Sequence, residues 1–227
     1  MLSEIKKSIL AGIMIAVGSS AYLSARTCDL MWLGAILFAT GLFTICQYGF
    51  NLYTGKVGYI AYNFKDKNYV GLVVLVCIFN LLTTFILGIA IAYVYPKIGA
   101  EAFTVYVPKL NLSLLKIFIS ASFCGLLMFL SVDTWKNGKM IGCFLYVPAF
   151  IFAGFDHSIA NSFYCGAAFG HTLFAENSFL QNEFSNFALF SIQNILLVIF
   201  TVLGNAFGGM IIPLLTKNFC KNEEKTV

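Results

Sequence analysis

Charge is what this chain has least of. Of its 227 residues only 11% are Asp, Glu, Lys or Arg, against 59% hydrophobic residues. A water-soluble domain carries about 25% charged residues, so a soluble fold is excluded and lipid is the expected solvent. Histidine is scarcer still, with two in the chain. Zinc sites draw on clustered His, Cys and carboxylate ligands, so no metal or other cofactor is expected. The seven cysteines show no C-x-x-C pairing. Cys46, Cys77, Cys124, Cys143 and Cys165 lie inside apolar runs, where a free thiol packs as a small hydrophobe. No A-x-A-like exit follows the first apolar run, so Glu4, Lys6 and Lys7 are expected to precede a helix that is not cleaved. The net charge of +4 favours anions slightly and points to no nucleic-acid partner.

What fills the chain instead is apolar sequence in lengths that span membranes. A crossing needs about 20 mostly apolar residues, and six stretches fit. They run from about Ile5 to Leu23, Asp29 to Phe50, Tyr69 to Val94, Leu112 to Val132, Met140 to Leu173 and Phe187 to Leu215. A mixed loop through Glu101 and Lys109 is expected between the third and fourth, and a tight exposed turn over Asp133 to Lys139. A polar loop is expected around Glu176 to Glu183. Ala11-Gly12, Gly18, Gly204-Asn205 and Gly208-Gly209 supply small residues for close helix contact. With both termini cytoplasmic, Lys6, Lys7, Lys65, Lys67, Lys136, Lys139, Lys217, Lys221 and Lys225 fall inside. Arg26, Lys97 and Lys109 fall outside, an asymmetry that satisfies the positive-inside rule.

Two of the six stretches are interrupted. Gly154-Phe155-Asp156-His157-Ser158-Ile159-Ala160-Asn161 sets an imidazole beside a carboxylate in the middle of the fifth. An ionisable group at membrane depth costs a few kcal/mol at least, and normally marks a substrate or ion path. Leu52-Tyr53-Thr54-Gly55-Lys56 breaks the second. Each half, about 1–110 and 111–227, thus reads as long helix, broken helix, long helix. Three crossings per half force opposite orientations, so the chain is expected to be one all-α channel domain of two inverted repeats, 1–227. Irregular backbone survives at that depth only against protein or a water-filled cavity, which indicates a channel or carrier.

The eight residues from Gly154 to Asn161 resemble the G-F-[ED]-H-S-I-A-N signature of the formate/nitrite transporter family. Leu52 to Lys56 is similar to that family's loop in the second helix, and Lys109-Leu110-Asn111 and Gly204-Asn205 also match. The resemblance implies an aquaporin-like protomer in a homopentamer in the inner (cytoplasmic) membrane, each protomer with its own pore. It implies small monovalent anions as cargo: hydrosulfide, formate, nitrite or short carboxylates. By position it makes His157 the central pore histidine and Thr54 its hydrogen-bond partner. Phe38, Leu42 and Phe150 would form a constriction toward the cytoplasm, and Lys109 would be a vestibule lysine. Asp156 and Asn161 would brace the histidine loop. The sequence departs from the family at Gly125, where formate-type members carry a pore asparagine. It departs again at the Thr54-Gly55-Lys56 loop, which resembles the hydrosulfide branch more than the formate one, and in its short N-terminal segment.

An apolar ring makes passage of a bare anion expensive, and buried charged groups usually neutralise instead. Imidazole, with an ordinary pKa near 6.5, can offer positive charge or a proton. Cargo is therefore expected to gather at Lys109 and Lys56 and to cross beside His157 partly as the neutral acid. Hydrosulfide is the leading cargo and formate the next. A neutral-solute channel of aquaporin type is the alternative, opposed by the lack of paired Asn-Pro-Ala motifs. A membrane hydrolase has too few histidines and no clustered carboxylates, so no enzyme is expected. His171 and Lys116 are read as interfacial, with Lys116 extending its charge toward water.

Overall fold

The computed structural model describes residues 1–174, 189 and 191–223, side chains of 217–223 excepted. The loop expected around Glu176 to Glu183 lies outside the described residues, as do the first residues of the sixth stretch, the Lys217 and Lys221 side chains and Lys225. The described residues form helices α1 (Leu2–Arg26), α2 (Met31–Tyr48), α3 (Tyr53–Lys56), α4 (Lys67–Val94) and α5 (Pro96–Tyr106). They continue as α6 (Leu114–Lys136), α7 (Ile141–Phe152), α8 (Ser158–Phe174) and α9 (Ile192–Glu223). Short 3-10 turns, Val57–Tyr62 and Val107–Asn111, follow α3 and α5. Five described helices are long and apolar enough to cross a bilayer: α1, α2, α4, α6 and the Ile192–Thr216 part of α9. At 12 residues, α7 rises only about 18 Å, short of a hydrocarbon core of about 30 Å.

Both breaks end their first helix in the same way. Gly49, at φ 66°, closes α2, and its N–H donates to the Cys46 carbonyl while Phe50 N–H donates to Ile45. Gly154, at φ 70°, donates to Ile151, and Phe155 N–H donates to Phe150. This is the Schellman motif, and its left-handed residue is where glycine carries no Cβ penalty. The first break therefore falls at Gly49–Leu52, earlier than expected, and Tyr53–Lys56 is itself a buried helical turn. Two other connections also differ from expectation. The mixed loop through Glu101 is largely α5: Pro96 opens it at a position where the missing N–H costs nothing, and Gly99, Ala102 and Tyr106 bury one face. Asp133 to Lys136 belongs to α6 rather than to an exposed turn, because Asp133 accepts a 3.1 Å bond from Tyr59 Oη.

Packing follows a two-part plan. α1 lies against α2 and α4, and α6 lies against α7 and α9. The two interrupted helices meet each other through α2 and α7. Each half's last long helix crosses to the other half's break, α4 onto α8 and α9 onto the Val57–Tyr62 turn. Small residues permit these crossings: a Cβ on Gly88 would strike the Phe163 carbonyl, and one on Gly208 the Ser122 carbonyl.

Candidate functional site

His157 is the residue just before α8 and is fully packed, 2% exposed. Its Nδ1 accepts the Ala160 N–H at 3.0 Å, one turn along the helix it precedes. A backbone N–H can only donate, so the neutral ring carries its hydrogen on Nε2. Nε2 lies 2.9 Å from Thr54 Oγ1, which is also buried. The ring donates to Thr54 and leaves the threonine's own O–H free to turn elsewhere. Phe150 stacks on the imidazole, centroids 5.6 Å apart and planes 18° apart. Phe38 meets Phe150 edge-on at 5.9 Å. Leu42, one turn further along α2, is buried in the same core.

Two cavities approach this pair. One, of about 260 Å³, is lined by Tyr22, Arg26, Lys109, Phe150, His157 and Asn161 among others. The other, of about 360 Å³, is lined by Cys46, Leu52, Gly55, Lys56, Trp135 and Lys136 among others. His157 borders the first cavity, and Gly55, next to Thr54, borders the second. The Thr54–His157 bond therefore stands between them. Phe150 borders the Arg26 cavity and not the lysine-rich Lys136 cavity, toward which the Phe38–Leu42–Phe150 constriction was expected. The reason is helix direction: α7 leaves the Lys136 end and reaches Phe150 only in its last turn, where it meets Phe38 in the first half of α2.

Asp156 and Lys109 form a buried ion pair at 2.7 Å, with 4% and 18% of their side chains exposed. Asp156 also accepts from Asn161 Nδ2 at 3.0 Å and from Ser120 Oγ at 2.7 Å. Lys109 donates a second bond to Asn161 Oδ1 at 2.9 Å. Lys109 is thus both a wall of the Arg26 cavity and the counter-ion of the loop carboxylate. Gly55 lies against Val132 and belongs to the wall of the Lys136 cavity. Gly125 faces α9: a Cβ there would strike the Asn205 backbone. The absence of a side chain at 125 is therefore a packing requirement of α6 against α9 and carries no information about cargo. Lys116 is exposed at the start of α6, and His171 is half-buried with its ring beside Phe103.

Of the two residues that hold the breaks, Asn80 went unread in the sequence, and Asn205 was read only as part of a small-residue pair that matches the family. Asn205 Oδ1 accepts the Ser158 N–H at 2.8 Å, and its Nδ2 donates to the carbonyls of Asp156 and Ala121. Asn80 does the same for the first break, accepting from Tyr53 N–H at 2.8 Å and donating to Asn51 and Ser8 carbonyls. One signal was present. Gly49-Phe50-Asn51 and Gly154-Phe155-Asp156 are the same glycine–phenylalanine–short-polar triplet, and each precedes its half-helix by one intervening residue.

Comparison with known proteins agrees with this architecture. Among solved structures, one described as a "pentameric formate channel with formate bound" superposes with a TM-score of 0.75 at 25% identity, over 96% of this chain and 94% of that one. Another, described as an "FNT family ion channel", gives a TM-score of 0.78 at 17% identity, over 96% and 90% of the two chains. No curated protein matches. The model of the family described as "Formate/nitrite transporter" matches residues 2–219, and the chain belongs to that family.

Proposed function

We propose that this chain is a multi-pass membrane channel for small monovalent anions of weak acids, with hydrosulfide as its cargo and formate and nitrite as related ones. The observation that carries the reading is the Thr54–His157 pair, closed over by Phe150, between two cavities that each carry lysine. An anion gathered in either cavity meets an apolar, water-poor centre. It crosses most cheaply as its neutral acid. The Thr54 hydroxyl, already receiving the His157 Nε2–H, offers it one donor. α8 adds the positive end of its dipole at the same point. One donor at the centre suits a single-atom acceptor such as sulfur better than a two-oxygen carboxylate. The Thr54-Gly55-Lys56 loop favours the same branch.

The fold is read as six crossings in two inverted repeats within one domain, 1–227, with α7 and α8 together making the fifth. The duplicated Schellman ends and the duplicated asparagine brackets support this. The pentameric neighbour supports a homopentamer, and the lysine distribution supports an inner-membrane protein with both termini cytoplasmic. Transport rather than catalysis is assigned, because the family is described as one of formate/nitrite transporters and the neighbour at 25% identity as a formate channel. Lys109, Lys56, Phe38, Leu42, Phe150, Thr54 and His157 are proposed as the pathway, and Asp156, Asn161 and Gly55 as its support.

A formate channel proper is the second reading, favoured by the formate held by the neighbour at 25% identity. Flux through proteoliposomes, measured for hydrosulfide, formate, nitrite and acetate at two pH values, decides. Hydrosulfide is expected to be fastest. Formate exceeding it at both pH values would move the assignment to formate, and glycerol permeation without anion flux would replace both readings with a neutral-solute channel.

A further inference from the structure

The cavity at the Lys136 end carries a second lysine, Lys136, that the proposed pathway leaves unassigned. Lys56 and Lys136 both line it, and among the described residues no carboxylate does. The nearest acids attract these lysines at a distance but make their hydrogen bonds elsewhere. Asp133 accepts Tyr59 Oη through one oxygen and Asn137 Nδ2 through the other. Glu4 accepts Asn51 Nδ2 at 2.7 Å and faces Lys7 at 3.9 Å. The Lys136 ammonium is held 3.4 Å over the centre of the Tyr59 ring, a cation–π contact that steadies the charge without neutralising it. Lys56 is half-buried and has no carboxylate within salt-bridge distance among the described residues. Two like charges facing one largely apolar cavity repel each other, and an anion between them relieves both. The cavity, at about 360 Å³, holds a small anion with several waters, each water needing about 30 Å³.

We infer that Lys56 and Lys136 form an anion-binding site in this cavity, a resting position for a small monovalent anion distinct from the His157 crossing. The inference rests on the channel reading above for its meaning, but its test does not depend on flux. It also gives Lys136 a role that goes beyond an interfacial charge. The two ends of the pathway then differ in kind. At the Arg26 end, Lys109 is tied to Asp156 and Arg26 to Glu101 at 2.6 Å. At the Lys136 end, the two lysines of the cavity wall have no carboxylate within salt-bridge distance among the described residues.

Trp135 lines the same cavity, and the chain has one other tryptophan, the exposed Trp32. In a Trp32→Phe background the fluorescence of Trp135 reports occupancy directly. Iodide is the probe, added to the detergent-solubilised protein at constant ionic strength against gluconate. Quenching is expected to saturate and to be relieved by formate. Lys56→Gln and Lys136→Gln are each expected to raise the half-saturating iodide concentration about fivefold, the worth of one partly exposed charge. Lys136→Arg, which keeps the charge, is expected to leave it in place. Quenching that rises linearly with iodide, or saturation unchanged in either glutamine variant, would overturn the site. Flux that persists alongside linear quenching removes this site and leaves the channel reading standing. Saturable binding in a protein without flux does the reverse.

Discussion

The Lys109–Asp156 pair is where structure and transport can be pulled apart. Lys109→Met removes a cation from a carboxylate that is 4% exposed and leaves it with only two neutral donors, Ser120 and Asn161. Stranding one partner of a buried ion pair costs about 3–5 kcal/mol. Asp156→Asn strands a lysine that is 18% exposed and can turn toward the water of its cavity, so a smaller loss of about 1–3 kcal/mol is expected. The double variant Lys109→Met/Asp156→Asn has no stranded charge and should be more stable than Lys109→Met alone. Thermal unfolding of the purified protein in detergent, followed by tryptophan fluorescence, measures the cycle. Losses that simply add in the double variant, or a Lys109→Met protein as stable as the parent, would refute the buried-pair argument. Flux in the same proteins then separates two roles. If Lys109 also draws anions into the cavity, the stable double variant stays slow. If flux returns with stability, Lys109 is a brace for the histidine loop and the attraction resides elsewhere.

Three further outcomes are expected. Thr54→Val leaves the His157 Nε2–H without an acceptor and removes the one central donor to cargo; flux should fall about tenfold, the equivalent of a hydrogen-bond loss of 1–2 kcal/mol in the barrier, and unchanged flux would remove Thr54 from the pathway. Asn80→Ala and Asn205→Ala each delete three buried hydrogen bonds, at about 1–3 kcal/mol for each group left unpaired; both should lower the unfolding temperature by similar amounts, and a large effect of only one would argue against equivalent brackets. His157→Asn should slow flux while preserving its rise toward acid pH, because the cargo brings its own proton; a flattened pH profile would show that the ring supplies it.

Much of this was legible because lipid tolerates so few sequences. Five of the expected crossings coincide with helices that are long and apolar enough to span, and the break at Gly154 falls where the polar run interrupts the fifth. The break in the second stretch was misplaced by a few residues, because Gly49 looks like an ordinary small residue until its φ of 66° is known. α5 was hidden for a different reason. Its 11 residues mix Glu101 and Thr104 with apolar groups, and what holds it is tertiary: Tyr106 Oη donates to Asn194 at 2.6 Å and Arg26 pairs with Glu101. Asn80 was invisible for a third reason. A single amide inside an apolar helix looks like noise, and only its three bonds to the first break distinguish it from one.

The same hydrogen-bond reasoning bears on what an intramembrane histidine can do. Lending a proton to a weak acid requires a ring that holds two, one on each nitrogen. Nδ1 of His157 already accepts the Ala160 N–H, and a proton placed there would set donor against donor at the first turn of α8. The Asp156 carboxylate, adjacent in sequence, does not relieve this, since its oxygens are taken by Lys109, Asn161 and Ser120. The loop thus satisfies its carboxylate without the imidazole and its imidazole without the carboxylate. That division favours a neutral His157 whose Nε2–H polarises Thr54, with the proton entering alongside the cargo from the cavities on either side. It also accounts for Lys109 being where it is. On the proposed pathway a carboxylate beside the ring would repel arriving anions, and the ammonium 2.7 Å away offsets that field.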